Sequence, residues 1–82
     1  MKVKVLVFAR LRELFGGDEV CLSFLAPPKV EALLDELVAL CPELSSQRGG
    51  LQVAVNQRLC RDLDAELAAG DEVAVFPPVG GG

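Results

Sequence analysis

Only one stretch of this sequence repeats its apolar residues at helical spacing. Val30, Leu33, Leu34, Leu37 and Val38 stand at i, i+3, i+4, i+7 and i+8, the stripe of a helix that buries one face. Elsewhere the apolar residues alternate with period two, as strands do. A single helix covers one face of one sheet, which confines the chain to a two-layer arrangement of the α+β class. Pro27 and Pro28 precede the stripe and Pro42 ends it. Lys29 lacks the side-chain acceptor of a good N-cap, so the helix start is open by a residue or two. Glu31, Asp35 and Glu36 fall off the stripe into solvent, with Glu31 at the positive end of the helix dipole.

The strands follow from the alternation. Across Lys2 to Ala9, Val3, Val5 and Val7 share one face, and Lys4, Leu6 and Phe8 the other. Leu11 to Phe15 is long enough for one helical turn before the turn signal Gly16-Gly17-Asp18. Glu19 to Phe24 alternates again, with Val20, Leu22 and Phe24 on one side, so the first two strands form an antiparallel hairpin with a long connection. After the helix, Leu44 to Gly50 reads as loop and Leu51 to Val55 as a strand. Asn56-Gln57 turns the chain into a short strand at Arg58 to Cys60. Asp62 to Ala69 is a connection anchored by Leu63 and Leu67. Gly70-Asp71 is a turn, and Glu72 to Phe76 is the last strand, with Val73 and Val75 inward. Two hairpins flanking one helix fit an α+β fold of the β-grasp, or ubiquitin-like, roll type, with a mixed sheet and the main helix on one face. The expected organisation is a domain over residues 1–76 and a flexible C-terminal Gly-Gly tail over residues 77–82.

Composition removes several function classes. The 82 residues suit one small core. No apolar run approaches the roughly 18 residues of a spanning helix, and no cleavable leader is evident, so a cytoplasmic protein without a membrane role is expected. A net charge of −4 argues against nucleic acid and is compatible with a partner that carries a basic cleft. Cys21, Cys41 and Cys60 are odd in number, widely spaced and without a CxxC pair, so they read as small hydrophobes rather than metal ligands. The chain has no His, Tyr or Trp, which removes the commonest general base and any Ser-His or Cys-His nucleophile. Chemistry is left to carboxylates, lysines, a thiol or the terminus.

The terminus stands out. In Phe76-Pro77-Pro78-Val79-Gly80-Gly81-Gly82, two prolines stiffen the chain and three residues without side chains follow. By alternation Leu6, Phe8, Ala54, Leu59, Ala74 and Phe76 point away from the helix. A sheet face open to water is normally polar, so this apolar set beside the tail reads as a docking face. In a β-grasp sheet the first and last strands lie side by side, which would make Phe8 and Phe76 neighbours.

Several stretches resemble the small-subunit family of molybdopterin synthase. They are Val7-Phe8-Ala9, Leu11-Arg12-Glu13-Leu14, Val55-Asn56-Gln57, Gly70-Asp71-Glu72-Val73-Ala74, Phe76-Pro77-Pro78-Val79 and Gly81-Gly82. The resemblance implies a sulfur carrier of molybdenum cofactor biosynthesis. In that family an E1-like adenylyltransferase activates the terminal glycine with ATP. A sulfurtransferase supplies the sulfur for a thiocarboxylate, and the tail delivers it inside the large subunit to precursor Z, forming the dithiolene in an assembly of two small and two large subunits. Carried over, Gly82 bears the thiocarboxylate, and Gly80 and Gly81 are the thin part of the tail. Phe8, Leu59, Phe76, Pro77, Pro78 and Val79 meet the partner. No cofactor or metal is expected on the chain itself. Position 80 is commonly Ser or Thr in the family, so Gly80 is a departure. If Gly82 is the native end, no proteolytic maturation is needed. The same fold and terminus would also suit a sulfur carrier for thiamine thiazole synthesis or a ubiquitin-like protein modifier.

Overall fold

The computed structural model describes residues 1–78. Its elements are β1 (Lys2–Val7), α1 (Arg10–Phe15), β2 (Glu19–Ser23), α2 (Val30–Leu40), two 3-10 turns (Pro42–Ser46 and Arg48–Gly50), β3 (Gln52–Val55), β4 (Arg58–Cys60) and β5 (Val73–Phe76). The strands form one mixed sheet in the order β2-β1-β5-β3-β4. β1 pairs antiparallel with β2 and parallel with β5, while β3 pairs antiparallel with both β5 and β4. This is the expected β-grasp roll. Among the described residues no helix is long and apolar enough to cross a membrane.

The valine alternation sets the core. Val3, Val5 and Val7 of β1, Leu22 of β2, Val53 of β3, and Val73 and Val75 of β5 are 3% exposed or less. So are Val30, Leu33, Leu34 and Leu37 of α2. Each such side chain contributes about 1.5–3 kcal/mol by leaving water. Val38, the last residue of the stripe, is half-buried at the margin.

The start of α2 shows why a poor N-cap is tolerated. Lys29 is extended and gives no side-chain cap. The Val30 N–H instead donates to the Ala65 carbonyl at 2.9 Å and the Glu31 N–H to the Leu63 carbonyl at 3.0 Å. The 62–67 segment thus crosses the helix end and satisfies donors that a capping side chain would otherwise take. The anchoring side chain of that segment is Leu67, 3% exposed. Leu63, expected to be a second anchor, is 43% exposed, and its backbone carbonyl makes the attachment.

Two further expectations change. Residues 44–50 are ordered into 3-10 turns rather than loop, because Leu44 is fully buried and Arg48 reaches back to α2. Arg48 contacts the Asp35 carboxylate at 2.7 and 2.9 Å and donates to the Glu31 carbonyl at 3.3 Å. The cysteines also differ among themselves. Cys41 is a core residue and Cys60 a half-buried one, as small hydrophobes would be, but Cys21 is exposed. It lies opposite Lys4 on the side of β2 away from the buried Leu22.

Turn chemistry closes the sheet. Gly16 takes the left-handed conformation at the end of α1 (φ 73°), and the Gly17 N–H donates to the Arg12 carbonyl at 3.1 Å, as in a Schellman cap. Asn56 and Gln57 both have positive φ, 52° and 68°, the pattern of a tight hairpin turn. Asn56 bonds the Asp71 carboxylate (2.9 Å), accepts from the Glu72 N–H (2.9 Å), and its own N–H donates to the Glu72 carbonyl (2.7 Å). Asp71 also accepts from the Ala68 N–H at 2.7 Å. These bonds tie the β3–β4 turn to the turn that launches β5.

The Ala68 N–H, and then the Asn56 amide, hold the Asp71 carboxyl below its ordinary value of 3.8. Stabilisation from this lowered pKa is complete above that value and is lost as pH falls through the folded one. The Asp71→Asn variant should therefore show a lower urea midpoint at neutral pH and a shallower acid decline than the parent. Parallel acid declines would contradict this role.

Candidate functional site

The sheet face away from α2 carries a row of small and apolar residues. Leu6 lies opposite Ala74, Ala74 opposite Ala54, and Ala54 opposite Leu59, so one line runs across β1, β5, β3 and β4. On the other side Leu6 faces Glu19 of β2, where the row ends in a charge. Leu6, Ala54 and Ala74 are half-buried, and Leu59 is 51% exposed. A shallow depression lined by Lys2, Lys4, Glu19, Gly70, Asp71 and Glu72 borders Leu6 and gives the patch a polar rim.

One step along the sheet is an aromatic pair. The rings of Phe8 and Phe76 stack with centroids 4.7 Å apart and planes 11° from parallel. Parallel pairing of β1 with β5 brings them together, since Val7 lies opposite Val75. Phe8 falls just past the end of β1, and Ala9 follows with φ 53° and ψ −129°, a conformation uncommon for a residue with a side chain. That bend turns the chain into α1 and returns Arg12 over Phe8. The guanidinium carbon sits 5.4 Å from the ring centroid. Arg12 Nε donates to the Val7 carbonyl at 3.3 Å and lies 3.6 Å from the Asp18 carboxylate. A cation over an aromatic face contributes about 0.5–1 kcal/mol at an exposed site. Phe8 thus contacts both the Arg12 guanidinium and the Phe76 ring, and the three side chains form one aromatic post.

The chain leaves the sheet from this post. Pro77 and Pro78 follow Phe76 and are both half-buried. Of the residues expected to form the site, Phe8 and Phe76 are in contact, Leu59 stands at the far end of the apolar row, and Pro77 and Pro78 sit at the root of the tail. Val79, Gly80, Gly81 and Gly82 lie outside the described residues. Arg12 was not singled out from sequence. Its signal was its place four residues after Phe8 in the short helical turn, which gives it the reach to cover the ring.

Among the described residues no cluster of His, Cys, Asp or Glu could hold a metal ion. The face offers apolar contact area, an aromatic post and an exit for the tail, an arrangement suited to docking.

Comparison with known proteins agrees with this reading of the fold. The model of the ThiS family matches residues 5–82. The molybdopterin synthase sulfur carrier subunit of Escherichia coli (strain K12) is 48% identical over 84 residues, covering 98% of this chain and 99% of the relative. Among solved structures, a putative molybdopterin converting factor, subunit 1, from Pyrococcus furiosus superposes with a TM-score of 0.84 at 34% identity, covering 96% of this chain and 99% of that one. The small archaeal modifier protein 1 of H. volcanii superposes with a TM-score of 0.79 at 32% identity, covering 95% and 98%.

The aromatic post makes a spectroscopic prediction. Ring currents from Phe8 should move the Arg12 side-chain and Phe76 ring resonances away from their ordinary positions. The Phe8→Leu variant should return them while leaving the core methyls of Leu33 and Val75 in place. Unchanged Arg12 resonances would show that no post exists in solution.

Proposed function

This chain belongs to the ThiS family, and we propose that it is the sulfur carrier subunit of a molybdopterin synthase. The observation that supports this most is the placement of the apolar row and the Phe8–Phe76 stack on the outward face, at the root of a Pro-Pro-Val-Gly-Gly-Gly tail. The face docks on the large subunit and the tail enters it. Division into a docking surface and a delivered terminus accounts for a chain without histidine.

In this reading Gly82 carries the reacting carbon. A carboxylate is a poor electrophile, so an E1-like adenylyltransferase first joins it to AMP from ATP with release of pyrophosphate. A persulfide sulfur of a sulfurtransferase then attacks the acyl carbon and displaces AMP, and a second thiol reduces the acyl disulfide, leaving a thiocarboxylate on Gly82 and a disulfide on the partner. In the large subunit that sulfur attacks precursor Z, water cleaves the resulting thioester to return the Gly82 carboxylate, and two such transfers supply the two sulfurs of the dithiolene. Gly80 and Gly81 leave the acyl carbon unhindered and the segment narrow. Pro77, Pro78 and Val79 stiffen its base, which lowers the ordering cost of insertion. Gly80 leaves the terminal pair intact. The chain itself holds no cofactor, and ATP is consumed on the activating partner.

The test separates the two parts. Deleting Gly82 should abolish sulfur transfer while leaving thermal unfolding and large-subunit affinity unchanged. Wild-type rates of dithiolene formation from the deletion would refute the proposal. Phe76→Asp should do the reverse, weakening large-subunit binding by about thirtyfold or more, as loss of a central aromatic anchor does. Unaltered affinity would remove the aromatic pair from the interface.

A further inference from the structure

The path of the tail base depends on a residue far from it in sequence. Phe76 lies opposite Gln52 in the antiparallel pairing of β5 with β3. Two residues further along both segments, Pro78 comes against Gly50. A Cβ placed on Gly50 would stand 2.8 Å from Pro78 Cγ and 3.1 Å from Pro78 Cβ, inside the ~3.5–4.0 Å at which carbon atoms rest. The obstructing atoms belong to a proline ring, which is bonded back to its own backbone nitrogen and cannot swing aside. Glycine here is not demanded by dihedral angle, since Gly50 is not among the glycines with positive φ. The close approach of Pro78 alone requires it. Its neighbour Gly49 has nothing within 4 Å of an equivalent Cβ.

The turn that carries Gly50 is firmly held. The Gly50 N–H donates to the Gln47 carbonyl at 2.9 Å and the Leu51 N–H to the Arg48 carbonyl at 3.2 Å. Arg48 in turn grips Asp35 and the Glu31 carbonyl of α2. Contact with Gly50 therefore references Pro78 to the helix layer as well as to the sheet. Pro78 immediately precedes the Val-Gly-Gly-Gly end, so this contact fixes the point from which those residues start.

We infer that Gly50 is a positioning residue for the tail, its missing side chain forming the seat that fixes the place of Pro78 at the tail's root. The seat is a matter of this chain's own geometry. Its consequence for sulfur transfer rests on the sulfur-carrier reading.

The test compares Gly50→Ala with Gly49→Ala in the full chain. In the free protein, NMR contacts between residue 50 and the Pro78 ring should be present in the wild type and in Gly49→Ala and displaced in Gly50→Ala. With the large subunit at saturation, single-turnover sulfur transfer should fall about tenfold to a hundredfold in Gly50→Ala, the scale of a misplacement near 1 Å. Gly49→Ala should transfer at the wild-type rate. Thermal unfolding should be alike in both variants, and saturation with the large subunit removes any difference in affinity from the rate. In a Pro78→Ala background, where the Cγ obstacle is gone, the loss due to Gly50→Ala should shrink. The inference is overturned if Gly50→Ala retains the Pro78 contacts, transfers as Gly49→Ala does, or loses as much rate in the Pro78→Ala background. If the wild type transfers no sulfur, the carrier reading fails, and the NMR comparison still decides the seat.

Discussion

The parallel pairing of β1 with β5 fixes both faces of the sheet at once. Parallel neighbours cannot be joined by a tight turn and require a crossover. Here the crossover contains α2 and covers one face of the sheet. On that face the pairing sets Val5 against Val73 and Val7 against Val75, among the most deeply buried side chains in the core. On the opposite face it sets Leu6 against Ala74 and brings Phe8 onto Phe76. A slip of one residue would exchange the two faces. The core and the candidate docking surface are thus two sides of a single register.

The segments between strands do more than connect them. The 62–67 segment caps α2 with backbone carbonyls, the Asn56–Asp71 bonds join the two turns flanking β5, and Arg48 ties the 3-10 turns to α2. The Asn56–Asp71 bonds hold the end of β3 against the start of β5, and the Arg48 contacts hold the turn that leads into β3. An exposed ion pair such as Lys4 with Glu19, 3.9 Å apart, adds little by comparison. Only the Arg48 contacts lie on the side of the sheet where β5 ends at Phe76, next to the turn that carries Gly50.

Much of this was legible in the sequence for a physical reason. Period-two and period-3.6 patterns record which face is buried, and Val3-Val5-Val7 and the Val30–Leu37 stripe record it without ambiguity. The outward set from Leu6 to Phe76 could be read from the same alternation. Less visible were features made by contacts between distant residues. Leu44 looked like a loop residue because its burial depends on packing beneath α2. Leu63 looked like an anchor because its apolar side chain masked the role of its carbonyl. Gly50 looked like the end of a loop, since only the register of β3 with β5 places Pro78 upon it. Cys21 shares a residue type with the buried Cys41, and only the facing of β2 separates them.

Transport of sulfur on Gly82 is tested by the intact mass of the protein after incubation with an E1-like activating enzyme, ATP and a sulfurtransferase, followed by fragmentation to locate the change. A sulfur carrier gains the mass difference of one oxygen exchanged for one sulfur, confined to Gly82. An unchanged mass, or addition of a whole sulfur atom at Cys21, Cys41 or Cys60, would contradict it.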